Sequence, residues 1–250
     1  MATAGALLLG LSARASETDD RIESSAKKSY VFKTYLKDDA IKIDSSSGAV
    51  TLTGTVAEDS HKSLAENTVA SLPGVTGVDN QLKTKGENPA EHSDAWIGTK
   101  VKSALLFHRN VRATKTDVNV KDGVVTLSGE ASSQAQKDLT TEYASDVDHV
   151  KRVNNQMTIA RGPAPAAETS IGEKIDDASI TAQVKASLMA HRSTSALKTK
   201  VSTTDGAVTV SGLAKNAAEK SLVTKLVTDI DGVTSVINNM TFELKATSNN

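Results

Sequence analysis

The chain has 250 residues, a net charge of −1, no cysteine and 3% aromatic residues. A near-neutral balance supplies no basic field to draw nucleic acid, and so few rings leave little to stack bases on. With no cysteine, no disulfide braces a small domain. The amino terminus is the first distinct segment: residues 4–11 are apolar but far too few to span a bilayer. Ala13-Arg14-Ala15 follows, with the small-x-small pattern of a signal-peptidase site. A signal peptide over residues 1–15 and export are expected.

The remainder repeats itself three times, which sets the architecture before any residue-level argument. Gly48-Ala-Val-Thr-Leu-Thr-Gly54 returns as Gly123-Val-Val-Thr-Leu-Ser-Gly129 and as Gly206-Ala-Val-Thr-Val-Ser-Gly212. A second landmark begins twenty residues past each closing glycine, at Gly74, His149 and Gly232. An isoleucine stands 26 residues before each opening glycine (Ile22, Ile97, Ile180), with Asp19, Asp94 and Asp177 three residues ahead of it. The aspartates read as helix starts, where a carboxylate accepts free N–H groups and complements the macrodipole. Helix one then buries Ile97, Val101 and Leu105 in repeat two and Ile180, Val184 and Leu188 in repeat three. Ile22, Ala26 and Tyr30 are a weaker copy in repeat one. Alternating residues enter a turn and the glycine-bounded strand, a β-hairpin. Helix two places Leu64, Leu139 and Leu222 at one constant offset from the closing glycine and Leu72, Val147 and Ile230 at another. Gly74 and Gly232 suit the left-handed residue that stops it. His149 is expected to take the same conformation in repeat two, as a tolerated helix stop. A last strand covers residues 75–82, 150–159 and 233–244.

Each unit is therefore α-β-β-α-β, and the fold class is α+β: three tandem domains, each with two helices on a small three-stranded mixed sheet. The expected domains are 16–84, 93–160 and 174–246, with a Pro/Ala linker at 161–173 made semi-extended by Pro163 and Pro165. Modules of roughly 65 residues are marginal by themselves, so neighbouring repeats are expected to lean on one another.

Catalysis finds no support in the pattern. There is no cysteine, phosphate-binding glycine loop, nucleophile elbow or paired metal-ligand histidine motif. No catalytic residue, metal or cofactor is expected. His108-Arg109 and His191-Arg192 occupy equivalent places at the end of helix one and read as cations facing the negative end of a helix dipole. Charge partition is more informative: from Ile97 to Arg112, repeat two carries Lys100, Lys102, Arg109 and Arg112 and no acidic residue. Trp96 and Phe107 lie eleven residues, or three helical turns, apart on the same helix. That composition suits an interfacial membrane contact, and equally Trp96 packed at a domain edge.

Three hairpins of the Gly-x-Val-x-Leu/Val-x-Gly form, each followed by Val-x-x-Val-x-Asn with Asn80, Asn155 and Asn238, resemble BON domains. These are small modules of outer-membrane and periplasmic proteins. The resemblance covers about residues 19–245, and Asp94-Ala-Trp-Ile-Gly-Thr-Lys-Val-Lys-Ser-Ala-Leu-Leu106 resembles helix one of the lipid-binding members. His149 in place of glycine and the weak stripe in repeat one depart from the pattern. The resemblance implies a non-enzymatic periplasmic protein of envelope or osmotic stress, with anionic phospholipid surfaces as partner and envelope proteins as further partners. The lipid-binding residues would be Trp96, Lys100, Lys102, Phe107, Arg109 and Arg112. The alternative is a periplasmic chaperone or scaffold that holds unfolded or partner proteins through sheet edges or apolar patches.

Overall fold

The computed structural model describes residues 9–86, 89–111, 113–160 and 174–242. The repeated motif is present three times. Repeat one comprises α1 (Leu9–Lys28), α2 (Tyr30–Thr34), β1 (Ala40–Ser46), β2 (Ala49–Val56), α3 (Asp59–Ala70), β3 (Gly77–Asn80) and β4 (Lys83–Thr84). Repeat two comprises α4 (Asp94–Leu106), β5 (Thr116–Lys121), β6 (Val124–Ala131), α5 (Gln134–Ser145), β7 (Arg152–Asn155) and β8 (Thr158–Ile159). Repeat three comprises α6 (Asp177–Ala190), β9 (Thr199–Thr204), β10 (Ala207–Ala214), α7 (Ala217–Thr228), β11 (Ser235–Asn238) and β12 (Thr241–Phe242). The segment expected as a signal peptide lies outside the described residues up to residue 8, and its remainder enters α1. The linker at 161–173 lies outside them altogether.

In every sheet the glycine-bounded strand is central. It pairs antiparallel with its hairpin partner and parallel with the strand after helix two. Its apolar residues face the helices: Val50 and Leu52, Val125 and Leu127, Val208 and Val210 are all buried. The closing glycines are needed because a Cβ at Gly54, Gly129 or Gly212 would lie 1.9–2.1 Å from the carbonyl oxygen of Ala40 at the start of β1, of Lys115 just before β5 or of Lys198 just before β9.

Three local expectations are corrected. The last strand is not continuous, so each sheet has four strands: Asn80, Asn155 and Asn238 interrupt it. Each Oδ1 accepts the amide two residues on (Leu82 3.2 Å, Met157 2.9 Å, Met240 3.0 Å), and each Nδ2 donates back to helix two, at Lys62, Lys137 and Lys220 O. This Asx turn tucks Leu82, Met157 and Met240 into the core before two further residues rejoin the sheet. Second, Asp94 and Asp177 begin α4 and α6 as expected, but the carboxylates of Asp19 and Asp94 serve the hairpin rather than the helix. Ser93 caps α4, accepting from Trp96 N, while the Asp94 carboxylate accepts Asp122 N (2.7 Å) and Gly123 N (2.9 Å) at the hairpin turn. Asp19, inside α1, likewise accepts Ser45 Oγ, Ser47 N and Gly48 N. The hydrogen bond from Ser45 first, and that from Gly48 next, hold its carboxyl below the ordinary 3.8. The spacing thus records a turn of exposed N–H groups that binds an anion. Third, the chain breaks at Ser29, so Val31 rather than Tyr30 completes the buried stripe of repeat one.

The chain divides into two compact units, residues 1–88 with 176–182, and residues 89–175 with 183–250. In the first, α2 starts against Asp176 and Ser179, whose side-chain oxygens accept Tyr30 N (2.7 Å) and Val31 N (3.0 Å). In the second, repeats two and three share a seam described below.

Candidate functional site

Helix α4 buries Ile97, Val101, Ala104 and Leu105 against its own sheet and turns Trp96, Lys100 and Lys102 away from that stripe. Trp96 is half-buried at the first turn. The Lys100 ammonium lies 5.3 Å from its ring centroid, a cation–π pair that one helical turn of spacing makes possible. Lys102 is exposed. Two histidines that the sequence does not place together complete the cluster. His92 and His149 stack at 3.9 Å between centroids, and both present to the edge or face of Trp96, at 5.3 and 5.8 Å. Their backbones are in the left-handed region, with φ of 66° and 64°. His149 stands where Gly74 (φ 92°) and Gly232 (φ 85°) close helix two in the other repeats. The expected helix stop is therefore correct in conformation, but a Cβ-bearing residue sustains it at a cost of about 1 kcal/mol or more, and its side chain packs with His92 and Trp96.

The structure separates the other residues expected on this surface. Phe107 is 4% exposed, inside the seam with repeat three. Arg109 extends an exposed side chain, but its guanidinium donates to the carbonyls of Ile230 and Val233. Arg112 lies outside the described residues. Helix α4 ends at Leu106, so Phe107 leaves the helical register that would have aligned it with Trp96. Of the six residues, Trp96, Lys100 and Lys102 remain together outside the buried stripe of α4. Helix α6 of repeat three offers no comparable face, since Ala178 through Val184 are all buried.

The His-Arg pairs belong to the seam. His108 bridges Ile230 and His191 bridges Val147, each in antiparallel fashion. Arg109 N donates to Asp229 O and Arg192 N to Asp146 O, both at 2.9 Å. His108 Nδ1 lies 3.2 Å from Asp229 Oδ2, and His191 Nδ1 3.1 Å from Asp146 Oδ2. The exit of helix one in each repeat meets the end of helix two in the other, an isologous arrangement inside one chain. Repeat one has Lys33 and Ser71 at the corresponding places, so the histidine and the aspartate of this pairing are both replaced there. The expected dipole interaction gives way to these specific partners.

The two halves differ in burial. Tyr143 stacks on His108 at 4.1 Å and donates to Asp229 Oδ2 at 2.8 Å, and Asn110 donates to Asp229 Oδ1. Burial pushes His108 below the ordinary 6.5, against the pull of Asp229. Burial first, and Asp229 second, push the Tyr143 hydroxyl well above its usual range. Ser187 Oγ lies 3.2 Å from His108 Nε2. Serine, histidine and carboxylate thus follow the order of a hydrolase triad, but Ser187 is 1% exposed in the body of α6. The His108–Asp229 approach also lacks hydrogen-bond alignment at Nδ1. With no path for a substrate to Ser187 and no aligned base, this network is structural. A cavity of about 240 Å³ beside the seam is lined by Glu142, Asp146, His191, Arg192, Leu222 and Leu226, among others. Its opposed charges favour no single ligand class.

The fold and the repeat landmarks converge on one family, whose pattern matches residues 18–86, 93–161 and 176–243. The chain is a BON-domain protein. It is 33% identical over 202 residues to Osmotically-inducible protein Y of Escherichia coli (strain K12), a match covering 80% of this chain and 96% of that protein. It is 36% identical to the 21 kDa hemolysin of Actinobacillus pleuropneumoniae over 122 residues, 47% of this chain and 62% of that one. It is 29% identical over 135 residues to Outer membrane lipoprotein DolP of Haemophilus influenzae (strain ATCC 51907 / DSM 11121 / KW20 / Rd), covering 53% of this chain and 68% of the relative. Among the described residues of this BON-domain chain, no helix is long and apolar enough to cross a membrane.

Proposed function

We propose that this BON-domain protein is a non-enzymatic, periplasmic envelope-stress protein that docks on anionic phospholipid surfaces through α4 of repeat two. The observation that carries the reading is the single tryptophan of the chain, half-buried at the start of a basic helix with Lys100 over its ring. The printed names of two relatives, one osmotically inducible and one an outer-membrane lipoprotein, support the envelope setting. Lys100 and Lys102 near an anionic surface supply about 1 kcal/mol each. Insertion of Trp96 adds about 1.5–3 kcal/mol, so the sum of about 3.5–5 kcal/mol corresponds to a Kd of about 0.2–3 mM. The contact is weak and reversible.

Trp96 reports on its own site without labelling. Its emission is expected to move to the blue on adding phosphatidylglycerol vesicles and not phosphatidylcholine vesicles, with the shift lost in Lys100→Glu/Lys102→Glu. Emission indifferent to both vesicle types overturns the reading. A second reading, a chaperone or scaffold, draws on Ile237 (52% exposed) and Phe242 (39%) on the neighbouring strands β11 and β12. Suppression of client aggregation without dependence on lipid charge would favour it.

A further inference from the structure

Helix α4 is not the whole of the site. Two imidazoles, held by left-handed backbones that the other repeats either assign to glycine or do not use, are stacked on each other beside the indole proposed to enter the membrane. Backbone strain that persists at one repeat out of three is a reason to look for a use. We propose that His92 and His149 make this docking surface proton-sensitive, so that mild acidification strengthens binding to anionic phospholipid through Trp96. The proposal rests on the lipid reading above and names what regulates it.

Histidine is the side chain whose charge changes between pH 5 and 8. Two rings 3.9 Å apart stack when uncharged and repel when both are protonated. Protonation therefore does two things at once. It separates the pair that walls one side of Trp96, freeing the indole, and it adds cations to a surface where Lys100 and Lys102 are the fixed positive charges. The cationic face of the indole is already taken by Lys100, so the cluster is built for an anion rather than for a quaternary ammonium headgroup. The charged groups around the two rings come from four segments. Asp94 of α4 is spent on the hairpin turn, and Asp122 of that turn has its carbonyl bound by Lys151 Nζ. Asp148 lies 3.4 Å from His149 Nδ1 and is, among the described residues, the carboxylate in direct contact. Glu91 precedes His92 and is exposed. A bilayer dense in phosphates outweighs these few carboxylates once the rings are charged.

Each added cation contributes about 5-fold to binding, and the two together about 30-fold. The test is sedimentation of the full chain with phosphatidylglycerol vesicles at pH 7.5 and 5.5, comparing the wild type with His92→Asn/His149→Gly. Both replacements suit positive φ, and glycine restores the residue of the other repeats, so the variant retains the fold. Far-UV circular dichroism at both pH values confirms it. The wild type is expected to tighten about 30-fold on acidification, while the affinity of the variant changes by less than about 3-fold between the two pH values. Equal tightening in both proteins overturns the role of the histidines and leaves the lipid reading standing. Absence of wild-type binding at either pH overturns the lipid reading and this proposal with it.

Discussion

Replacing Asp229 with alanine tests whether the seam between repeats two and three is held by its buried carboxylate. Asp229 is 6% exposed and accepts from Tyr143 and Asn110 while lying 3.2 Å from His108. Its loss leaves the Tyr143 hydroxyl, on a residue 3% exposed, without an acceptor that water can replace, and takes away the carboxylate beside His108 Nδ1. An orphaned buried polar group costs about 1–3 kcal/mol and a lost hydrogen bond to a carboxylate about 1.5–3 kcal/mol, so the total is about 3–5 kcal/mol. The pseudo-equivalent Asp146 is more accessible and shares its carboxylate with exposed Ser193 and Arg192. Asp146→Ala is therefore expected to lose only about 1–2 kcal/mol. Trp96 fluorescence during urea unfolding follows the unit concerned. With a urea slope of about 2 kcal/mol/M, the midpoint should fall by about 1.5–2.5 M for Asp229→Ala and by about 0.5–1 M for Asp146→Ala. Adding Tyr143→Phe to Asp229→Ala removes the orphan and should recover about 1–2 kcal/mol. Equal losses at the two aspartates, or no recovery, would refute the argument from burial.

The same seam sets a pH dependence. Because the folded state holds His108 below 6.5, the unfolded chain binds more protons just under that value. The contribution is complete above pH 6.5 and is lost as pH falls toward the folded value; urea midpoints measured from pH 8 to 5 should decline below 6.5 and flatten in His108→Gln. Gly129→Ala, whose Cβ would lie 2.1 Å from Lys115 O at φ 114°, is expected to lose more than about 3 kcal/mol. Gly86→Ala, with φ 90° and nothing within 4 Å, should lose only about 1 kcal/mol, and thermal melts separate the two. Asn155→Ala removes the turn that seats Met157, together with donors to Lys137 O and Thr141 Oγ1. It is expected to destabilise by about 1–3 kcal/mol, read by the same Trp96 transition.

The order of elements and the central strands were legible because they depend on local rules. A period near 3.6 marks Ile97, Val101 and Leu105, a period of 2 marks the hairpins, and a glycine at each strand end records a close approach that no other residue survives. Repetition strengthened every one of these signals by showing it three times. The aspartates and asparagines were visible as landmarks but not as contacts, since a side chain that reaches a hairpin turn or the body of helix two does so across 14 to 29 residues of sequence. The proposed lipid surface was half legible. Trp96, Lys100 and Lys102 share a helix, so spacing alone brings them together. Phe107 falls one residue past the helix end, and its burial was settled by repeat three, as was the use of Arg109. His92 and His149, 57 positions apart in sequence, meet only because a left-handed turn at each end folds them onto one indole. The seam left a trace in the sequence, His-Arg in repeats two and three but not in one. What those residues touch required the tertiary structure, because each finds its partner in the other repeat. The sequence by itself determined what depends on neighbours along the chain. Burial and charge pairing between segments, which decide which polar groups are paired and which stay at the surface, were decided by packing alone.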